Sequence, residues 1–181
     1  MGDPKRPKNK YENPRKPWEK DEIAQRRELC EKYGLKNRRE LLILQAYLRR
    51  KRIVARRLLA VPLEKRVEQQ RALIESLERI GLLKKGATID DVLGIKVESL
   101  LERRLQTIVF RKGLARTIRQ ARQLITHGHI SIGSRIVSAP GYLVLKKEED
   151  SIKFADPKIE EKIRSSQQQQ TKAKSRGGTD E

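Results

Sequence analysis

Cysteine and histidine are scarce in this sequence of 181 residues, which contains one cysteine, Cys30, and two histidines. A single cysteine excludes an internal disulfide and any zinc cluster of several cysteines within this chain, and it suits a reducing cytoplasm. Cys30 lies in a helical pattern, where a small core or boundary residue is a commoner role than a reactive thiol. We therefore expect no metal site and no cofactor.

The two histidines, His127 and His129, lie one residue apart in the stretch HGHISIGSRIV. A zinc site needs about three or four ligands, and a catalytic base needs a nucleophile to activate or a carboxylate to orient it. The neighbouring residues supply neither set, so we expect no catalytic residue. The pair marks a predicted corner between a helix and a strand, and a structural role or a contact with phosphate is equally open for each.

Long apolar runs are also missing, since no segment approaches the roughly 20 residues needed to span a bilayer. The start of the chain, MGDPKRPKNK, contains no apolar core of a signal peptide. We expect a cytoplasmic protein that neither enters a membrane nor forms a homo-oligomer. Aromatic residues make up 4% of the chain, so stacking surfaces are few and phosphate recognition should dominate any affinity for nucleic acid.

What the sequence has in abundance is positive charge. Lysine and arginine number 43 against 24 acidic residues, which gives a net charge of +19, and the pI is near 10.3. Such a chain attracts a polyanion. The hydrophobic fraction of 36% allows only a modest core.

The chain divides by composition into four segments. The first is rich in proline and basic residues and reads as an extended arm, whereas the last is basic and rich in glutamine and reads as disordered until bound. Between them we expect two folded parts. The predicted segments are a basic arm at 1–20, a helical domain at 21–94, a second domain at 95–157 and the tail at 158–181.

Helical periodicity dominates up to residue 126. Gly34 suits the end of a first helix over Asp21–Tyr33, and Asn37 can cap a second helix from about Arg38 to Leu59. Pro62 suits the start of a third helix that ends near Gly81, and Thr88 can cap a short fourth. In the third helix we expect Leu63, Val67, Ile74 and Leu77 to share one side.

The second helix has a leucine stripe of Leu41, Leu44 and Leu48, but its second half is crowded with basic residues. Like charges three or four residues apart on a helix repel by a few tenths of a kcal/mol per pair, so this density favours contact with phosphate over simple solvation. The candidates for that contact are Arg49, Arg50, Lys51, Arg52, Arg56 and Arg57.

The later part changes from helices to strands. The spacing predicts one amphipathic helix over VESLLERRLQTIVFRKG, closed by Gly113, and another that starts at a capping box of Thr117 and Gln120. After Gly128 the period becomes two, which predicts short strands. Their predicted positions are about Ile130–Ile132, then 135–138 after a turn at Gly133-Ser134, then 142–145 after a turn at Pro140-Gly141, and finally 151–154. The pattern as a whole predicts an α+β protein.

The run LERRLQTIVFRKGLARTIRQARQLITHGHISIGSRIVSAPGYLV resembles the RNA-binding core of the S-four family of small-subunit ribosomal proteins. Its pieces stand in family order: Glu102-Arg103-Arg104-Leu105, Arg111 before Gly113, Ala121-Arg122-Gln123-Leu124, and His127-Gly128-His129-Ile130 ahead of the hairpin at 137–144. The arm and the helices up to Gly94 are similar to archaeal members, with eukaryotic ones next. Ile118 departs from bacterial members, which usually carry an arginine there, and the zinc-binding cysteines of some of them are absent.

The resemblance implies a mostly helical N-terminal part and a small RNA-binding module of two helices packed on an antiparallel sheet, with extended basic termini. One face of that module would hold RNA. The residues that match the family's contacts are Arg103, Arg104, Arg111, Lys112, Arg116, Thr117, Arg119, Arg122, Gln123 and His127.

The resemblance further implies a structural protein of the small ribosomal subunit that binds the 5′ domain of its rRNA and acts early in assembly. It would also lie near the point where messenger RNA (mRNA) enters the subunit and contact the neighbouring S-five protein, with an effect on decoding accuracy. An RNA-modifying enzyme with the same module is the alternative, but it would need a catalytic domain that residues 21–94 are too short to supply. A general nucleic-acid coat protein is a third reading, which the charge permits and the motif disfavours.

Overall fold

A computed structural model describes residues 9–156, apart from the side chains of residues 63–65. The predicted tail at 158–181 and the first eight residues of the arm lie outside the described residues. The described part contains seven α-helices and a three-stranded antiparallel sheet, which confirms the α+β class. The elements are α1 (Lys20–Lys32), α2 (Arg38–Leu59), α3 (Leu63–Ile80), α4 (Ile89–Gly94), α5 (Val97–Glu102), α6 (Leu105–Arg111), α7 (Ile118–Thr126), β1 (Ile130–Ile132), β2 (Arg135–Ile136) and β3 (Ile152–Phe154).

The chain forms two compact units, and the division falls between Glu102 and Arg103. In the first unit α2 is the central element, because α1, α3, α4 and α5 all pack against it. The predicted domain boundary at residues 94 and 95 stays a prediction, although α5, which follows that boundary, contacts α2 of the first unit.

Helix α2 forms as its sequence predicts. The side chain of Asn37 accepts a hydrogen bond from the backbone N–H of Glu40 at 3.2 Å and so caps the first turn. The leucine stripe is buried, and Ala55 continues it two turns further on. The apolar face therefore runs along the helix and the basic residues are left around it.

Helix α3 corrects one prediction. Leu73 and Leu77 are buried, but Val67, which was expected beside Leu77, is 61% exposed. At 3.6 residues per turn, Val67 lies about 120° around the helix from Leu73. The buried residues Leu73 and Leu77 lie on the part of α3 that packs against α2 and α4, and Val67 lies outside that stripe.

The predicted helix over residues 97–113 is wrong as a single element. It breaks into α5 and α6 at Arg104, whose backbone is extended (φ −72°, ψ 142°) and forms an antiparallel bridge with Leu143. The N–H of Leu105 donates to the carbonyl of Tyr142 at 2.8 Å, and the N–H of Val144 donates to the carbonyl of Arg103 at 3.0 Å. Pairing with a distant segment outcompetes the helical period here.

The corner between α7 and the sheet confirms the sequence prediction. Gly128 has a left-handed φ of 77°, and β1 follows it. A two-residue turn at Gly133-Ser134 connects β1 to β2, since Ile132 pairs with Arg135. The predicted last strand is also present as β3, which pairs with the other edge of β1 and gives the order β2-β1-β3.

Two details of the sheet differ from the prediction. Residues 142–145 do not form a regular strand, because their only ladder contact is the isolated bridge from Leu143 to Arg104. Ser131, which a period of two would place on the opposite face from Ile130 and Ile132, is buried as they are and donates its hydroxyl to the carbonyl of Lys153 at 3.3 Å. All three residues of β1 are buried, so the alternation of residue type does not fix exposure in this strand.

Apolar side chains from α6, α7, β1 and β3 form the core of the second unit. Its members include Leu105, Val109, Ile125 and Ile130, all fully buried, and Val144 adds the segment that pairs with Arg103 and Arg104. Helices α6 and α7 pack on each other. The buried side-chain amide of Gln106 donates to the carbonyl of Ile118 at 3.0 Å, which ties α6 to the first turn of α7.

We predict that Gly128→Ala lowers the free energy of unfolding by about 1–2 kcal/mol, because a left-handed backbone disfavours any residue with a Cβ by that amount. The added Cβ would also lie 3.5 Å from Cγ2 of Ile136. Urea unfolding measures the effect. Gly94→Ala is the control, since its Cβ would meet nothing within 4 Å and its φ is not positive; equal stability of both variants would contradict the prediction.

Candidate nucleic-acid interface

The N-terminus of α7 is fixed by its own side chains. Thr117 Oγ1 accepts from the N–H of Gln120 at 3.1 Å, and Gln120 Oε1 accepts from the N–H of Arg116 at 2.8 Å. The predicted pair of Thr117 and Gln120 is thus present at the helix end. It differs from a standard capping box in one bond, because the side chain of Gln120 accepts from the N–H of Arg116 and not from the N–H of Thr117. The first N–H groups of a helix have no acceptor within it, so this end presents positive partial charge.

A basic and polar strip runs along the outer side of α7. Arg116, Arg119, Gln123 and His127 are exposed and follow one another at intervals of three or four residues, while Arg122 lies beside them and is half-buried. Residues at this spacing share one side of a helix. We refer to these five residues as the α7 face.

Two further basic residues lie at the C-terminal end of α6 in the same unit. Arg111 and Lys112 are exposed at the end of that helix, just before Gly113, whose φ is 73°. Lys112 Nζ donates to the backbone carbonyl of Glu149, which orients the side chain. Because α6 packs on α7, these residues and the α7 face belong to one compact module.

Arg103 and Arg104, also predicted to contact RNA, are used within the protein. Arg103 forms an ion pair with Glu149 at 2.6 Å and donates to the carbonyl of Val144 at 3.1 Å. Arg104 is only 3% exposed and lies at the bridge to Leu143. Their first role is to join the start of α6 to the 142–149 segment.

Four of the six basic residues predicted on α2 form contacts within the protein. Arg49 forms an ion pair with Glu12 at 2.6 Å, and Arg50 donates to the carbonyl of Lys10 at 3.0 Å, so both hold the N-terminal arm against the helix. Lys51 contacts Ser76 of α3 at 3.5 Å, and Arg52 donates to the carbonyl of Ile95.

Arg56 and Arg57 complete the predicted set on α2. Both are exposed in the last turn, where a cation also interacts favourably with the negative end of the helix dipole. Among the six basic residues predicted on this helix, these two are the ones most available to a ligand.

A network that the sequence did not reveal holds the hairpin to the following segment. Arg135 Nη2 donates to Tyr142 Oη and to Glu148 Oε1, both at 2.8 Å, and Tyr142 Oη donates to Glu148 Oε2 at 2.9 Å. Burial, followed by the hydrogen bond to Glu148, raises the pKa of Tyr142 above its usual value. The only hint in the sequence is an acidic run, Glu148-Glu149-Asp150, within a basic chain.

The histidines lie at the end of α7. The N–H of His127 donates to the carbonyl of Gln123 at 3.0 Å, and its ring stacks on that of His129 with centroids 6.0 Å apart. Among residues 9–156 no three histidine, cysteine, aspartate or glutamate side chains are grouped so that they could hold a metal ion. Within the same residues, none of the helices has the length and apolar character needed to cross a membrane.

An exposed basic strip beside a capped helix N-terminus is the arrangement of a nucleic-acid-binding module. Residues 103–150 match the family described as the S4 domain. They coincide with the second compact unit up to the acidic run.

The chain is also similar to three proteins that share the description small ribosomal subunit protein uS4. Those of Sulfurisphaera tokodaii and Hyperthermus butylicus are each 52% identical over 155 residues, which cover 85% and 86% of this chain and 88% of either relative. The protein of Ignicoccus hospitalis is 50% identical over 155 residues, covering 86% of this chain and 93% of its own. The chain therefore belongs to the uS4 family of small-subunit ribosomal proteins. The predicted family, and the prediction that the chain is not an enzyme, are confirmed.

We predict that the buried and the exposed arginines respond differently to truncation. Arg104→Ala should lower the free energy of unfolding by roughly 2–4 kcal/mol, because the side chain is almost fully buried and its removal leaves a cavity where its methylenes pack. Arg119→Ala, on the exposed α7 face, should stay within about 0.5 kcal/mol of the parent. Urea unfolding of both variants is the measurement, and a neutral Arg104→Ala would show that this side chain is not part of the core.

Proposed function

We propose that this chain is a structural component of the small ribosomal subunit and binds the subunit's rRNA directly through the α7 face, Arg111 and Lys112. The observation that carries the proposal is that four basic side chains are exposed in the same compact unit as a capped helix N-terminus, within the residues that match the S4 domain: Arg111, Lys112, Arg116 and Arg119. As a small-subunit ribosomal protein the chain acts in cytoplasmic ribosomes.

Phosphate recognition explains why arginine dominates this face. Guanidinium groups bind phosphate oxygens in a bidentate way, and the free N–H groups of the helix end add further donors. Folded RNA exposes little of its base edges in the deep groove, so such a face recognises the shape and spacing of the backbone. The internal pairings of Arg103 and Arg104 leave these two as supports of the interface rather than contacts.

The finer parts of the proposal follow from the family. The rRNA site is the 5′ domain, binding there acts early in subunit assembly, and basic residues contact mRNA where it enters the subunit. The neighbouring S-five protein is the proposed protein partner, with a contribution to decoding accuracy. On α2, Arg56 and Arg57 are the residues proposed for a second phosphate contact, since Arg49 and Arg50 hold the arm.

The first experiment is a binding titration of the full chain with a transcript of the small-subunit rRNA 5′ domain across a salt series. Duplex DNA and an unrelated structured RNA serve as competitors. Binding that excludes both competitors and survives roughly 0.2–0.3 M salt is expected, because unspecific attraction to polyanions is largely lost there. If all three nucleic acids compete equally, the proposal is wrong and the chain is a general nucleic-acid coat protein.

We predict that replacing Arg119 and Arg122 together by alanine weakens rRNA binding and makes the dependence of log affinity on log salt shallower by roughly one unit per lost contact. The matched control is the double change Arg71→Ala and Arg79→Ala. It removes the same charge from α3, where both arginines pair with Glu75, at 3.0 and 3.9 Å. If both double variants lose affinity equally, net charge rather than the α7 face determines binding.

A further inference from the structure

Trp18 is the only tryptophan of the chain, and it lies exposed in a turn. Its residue is 74% exposed. It occupies the third position of a turn over Lys16–Glu19, closed by a bond of 3.5 Å from the N–H of Glu19 to the carbonyl of Lys16. Pro17 takes the second position, where its fixed φ favours the turn. Helix α1 starts at Lys20, so the indole projects from a turn that leads directly into a helix.

The other side of this turn is anchored as well. Glu12 pairs with Arg49 at 2.6 Å, the carbonyl of Lys10 accepts from Arg50 at 3.0 Å, and the guanidinium of Arg39 lies 5.3 Å from the ring centroid of Tyr11. The segment that carries Trp18 is therefore fixed to α2 before the turn and to α1 after it. Burial of a tryptophan side chain would stabilise the fold strongly, yet this one stays exposed between two fixed segments. It is therefore a strong candidate for a binding contact.

The surroundings indicate what covers the indole. Arg15, directly before the turn, and Lys16, its first residue, are both exposed, and residues 1–20 carry seven basic against three acidic residues. A basic arm repels a basic partner and attracts phosphate. Of the other exposed large apolar residues, Val54, Leu59, Val67 and Ile136 are aliphatic and offer no aromatic face, and Phe110, an aromatic, is 40% exposed against 74% for Trp18. Trp18 combines the flat ring that a nucleobase stacks on with adjoining cations for the backbone phosphates.

We propose that Trp18 stacks on an unpaired nucleobase of the small-subunit rRNA, with Arg15 and Lys16 on the phosphates next to it. This inference rests on the proposed function and deepens it, because it adds a base-stacking contact in the first unit to the phosphate-binding α7 face of the second. It also assigns the arm a defined contact rather than a general electrostatic attraction.

Tryptophan fluorescence tests the contact directly, since it reports on Trp18 alone. The full chain is titrated with the 5′-domain rRNA transcript, and acrylamide quenching is measured in the free and the bound protein. Stacking should quench the emission at saturation and protect the indole from acrylamide. If emission and acrylamide access stay unchanged while the RNA binds, the proposal is wrong and the proposed function stands.

Three substitutions separate stacking from simple apolar contact. Trp18→Ala should weaken rRNA binding about tenfold, within the range measured for loss of one base–aromatic stack. Trp18→Phe should keep most of the affinity, whereas Trp18→Leu, which keeps apolar bulk without an aromatic ring, should behave like alanine. Wild-type affinity of Trp18→Leu would overturn the stacking assignment. Circular dichroism and urea unfolding of each variant check that the fold is intact.

Two further measurements keep this proposal distinct from its alternatives. The double change Arg119→Ala and Arg122→Ala should need more RNA to reach saturation but show the same final quenching. Protection of Trp18 only after the other small-subunit proteins are added to the RNA complex would assign it to a protein interface and overturn the proposal. Loss of selectivity by the parent chain itself would instead reject both this contact and the proposed function.

Discussion

The short antiparallel pairing around Arg104 is the constraint on which the second unit depends. It ends α5, sets the extended residue from which α6 begins, and fixes the 142–145 segment whose Val144 enters the core. Arg103 extends the same junction to Glu149, and Glu149 in turn accepts from Lys112. Without this pairing, the 142–145 segment would lose its hydrogen bonds to Arg103 and Leu105, and Val144 would no longer be held in the core beneath α6 and α7.

Acidic residues organise this basic protein. Glu12 holds the arm to α2, Glu149 holds the start of α6, and Glu148 joins the hairpin to the segment after it. Each carboxylate pairs with an arginine, which is then less available to phosphate. The net charge of +19 therefore describes the attraction of the whole chain, whereas the contacts that we propose with RNA come from the smaller set of basic residues that remains exposed.

Local signals predicted the elements well. Asn37, Thr117 and Gly128 mark their helix ends through short-range hydrogen bonds or backbone conformation, so the sequence contains the whole cause. The break at Arg104 and the irregular course of residues 142–145 follow from pairing between segments about forty residues apart, which no local period encodes. The exposure of Val67 depends on which side of α3 meets α2, again a tertiary fact.

For the candidate site, the sequence predicted which residues match the order of the family's motifs, but not which of them are exposed. The sequence singled out Arg103, Arg104, Arg49 and Arg50 alongside Arg119, but it could not distinguish an arginine that holds Glu12 or Glu149 from one left exposed. That distinction depends on partners distant in the chain. The low aromatic content likewise predicted little stacking. The position of one exposed ring, that of Trp18, matters more than the number of aromatic residues, because each stacked base contributes separately to binding.

The brevity of the strands has a consequence of another kind. The sheet has two edges, and an unpaired edge is a template for pairing with a second chain. Here the edges are β2, with two residues, and β3, with three, and each carries an exposed cation, Arg135 or Lys153. Edges of two and three residues present few unpaired backbone groups, so the folded module offers little template on which a second chain could add a strand.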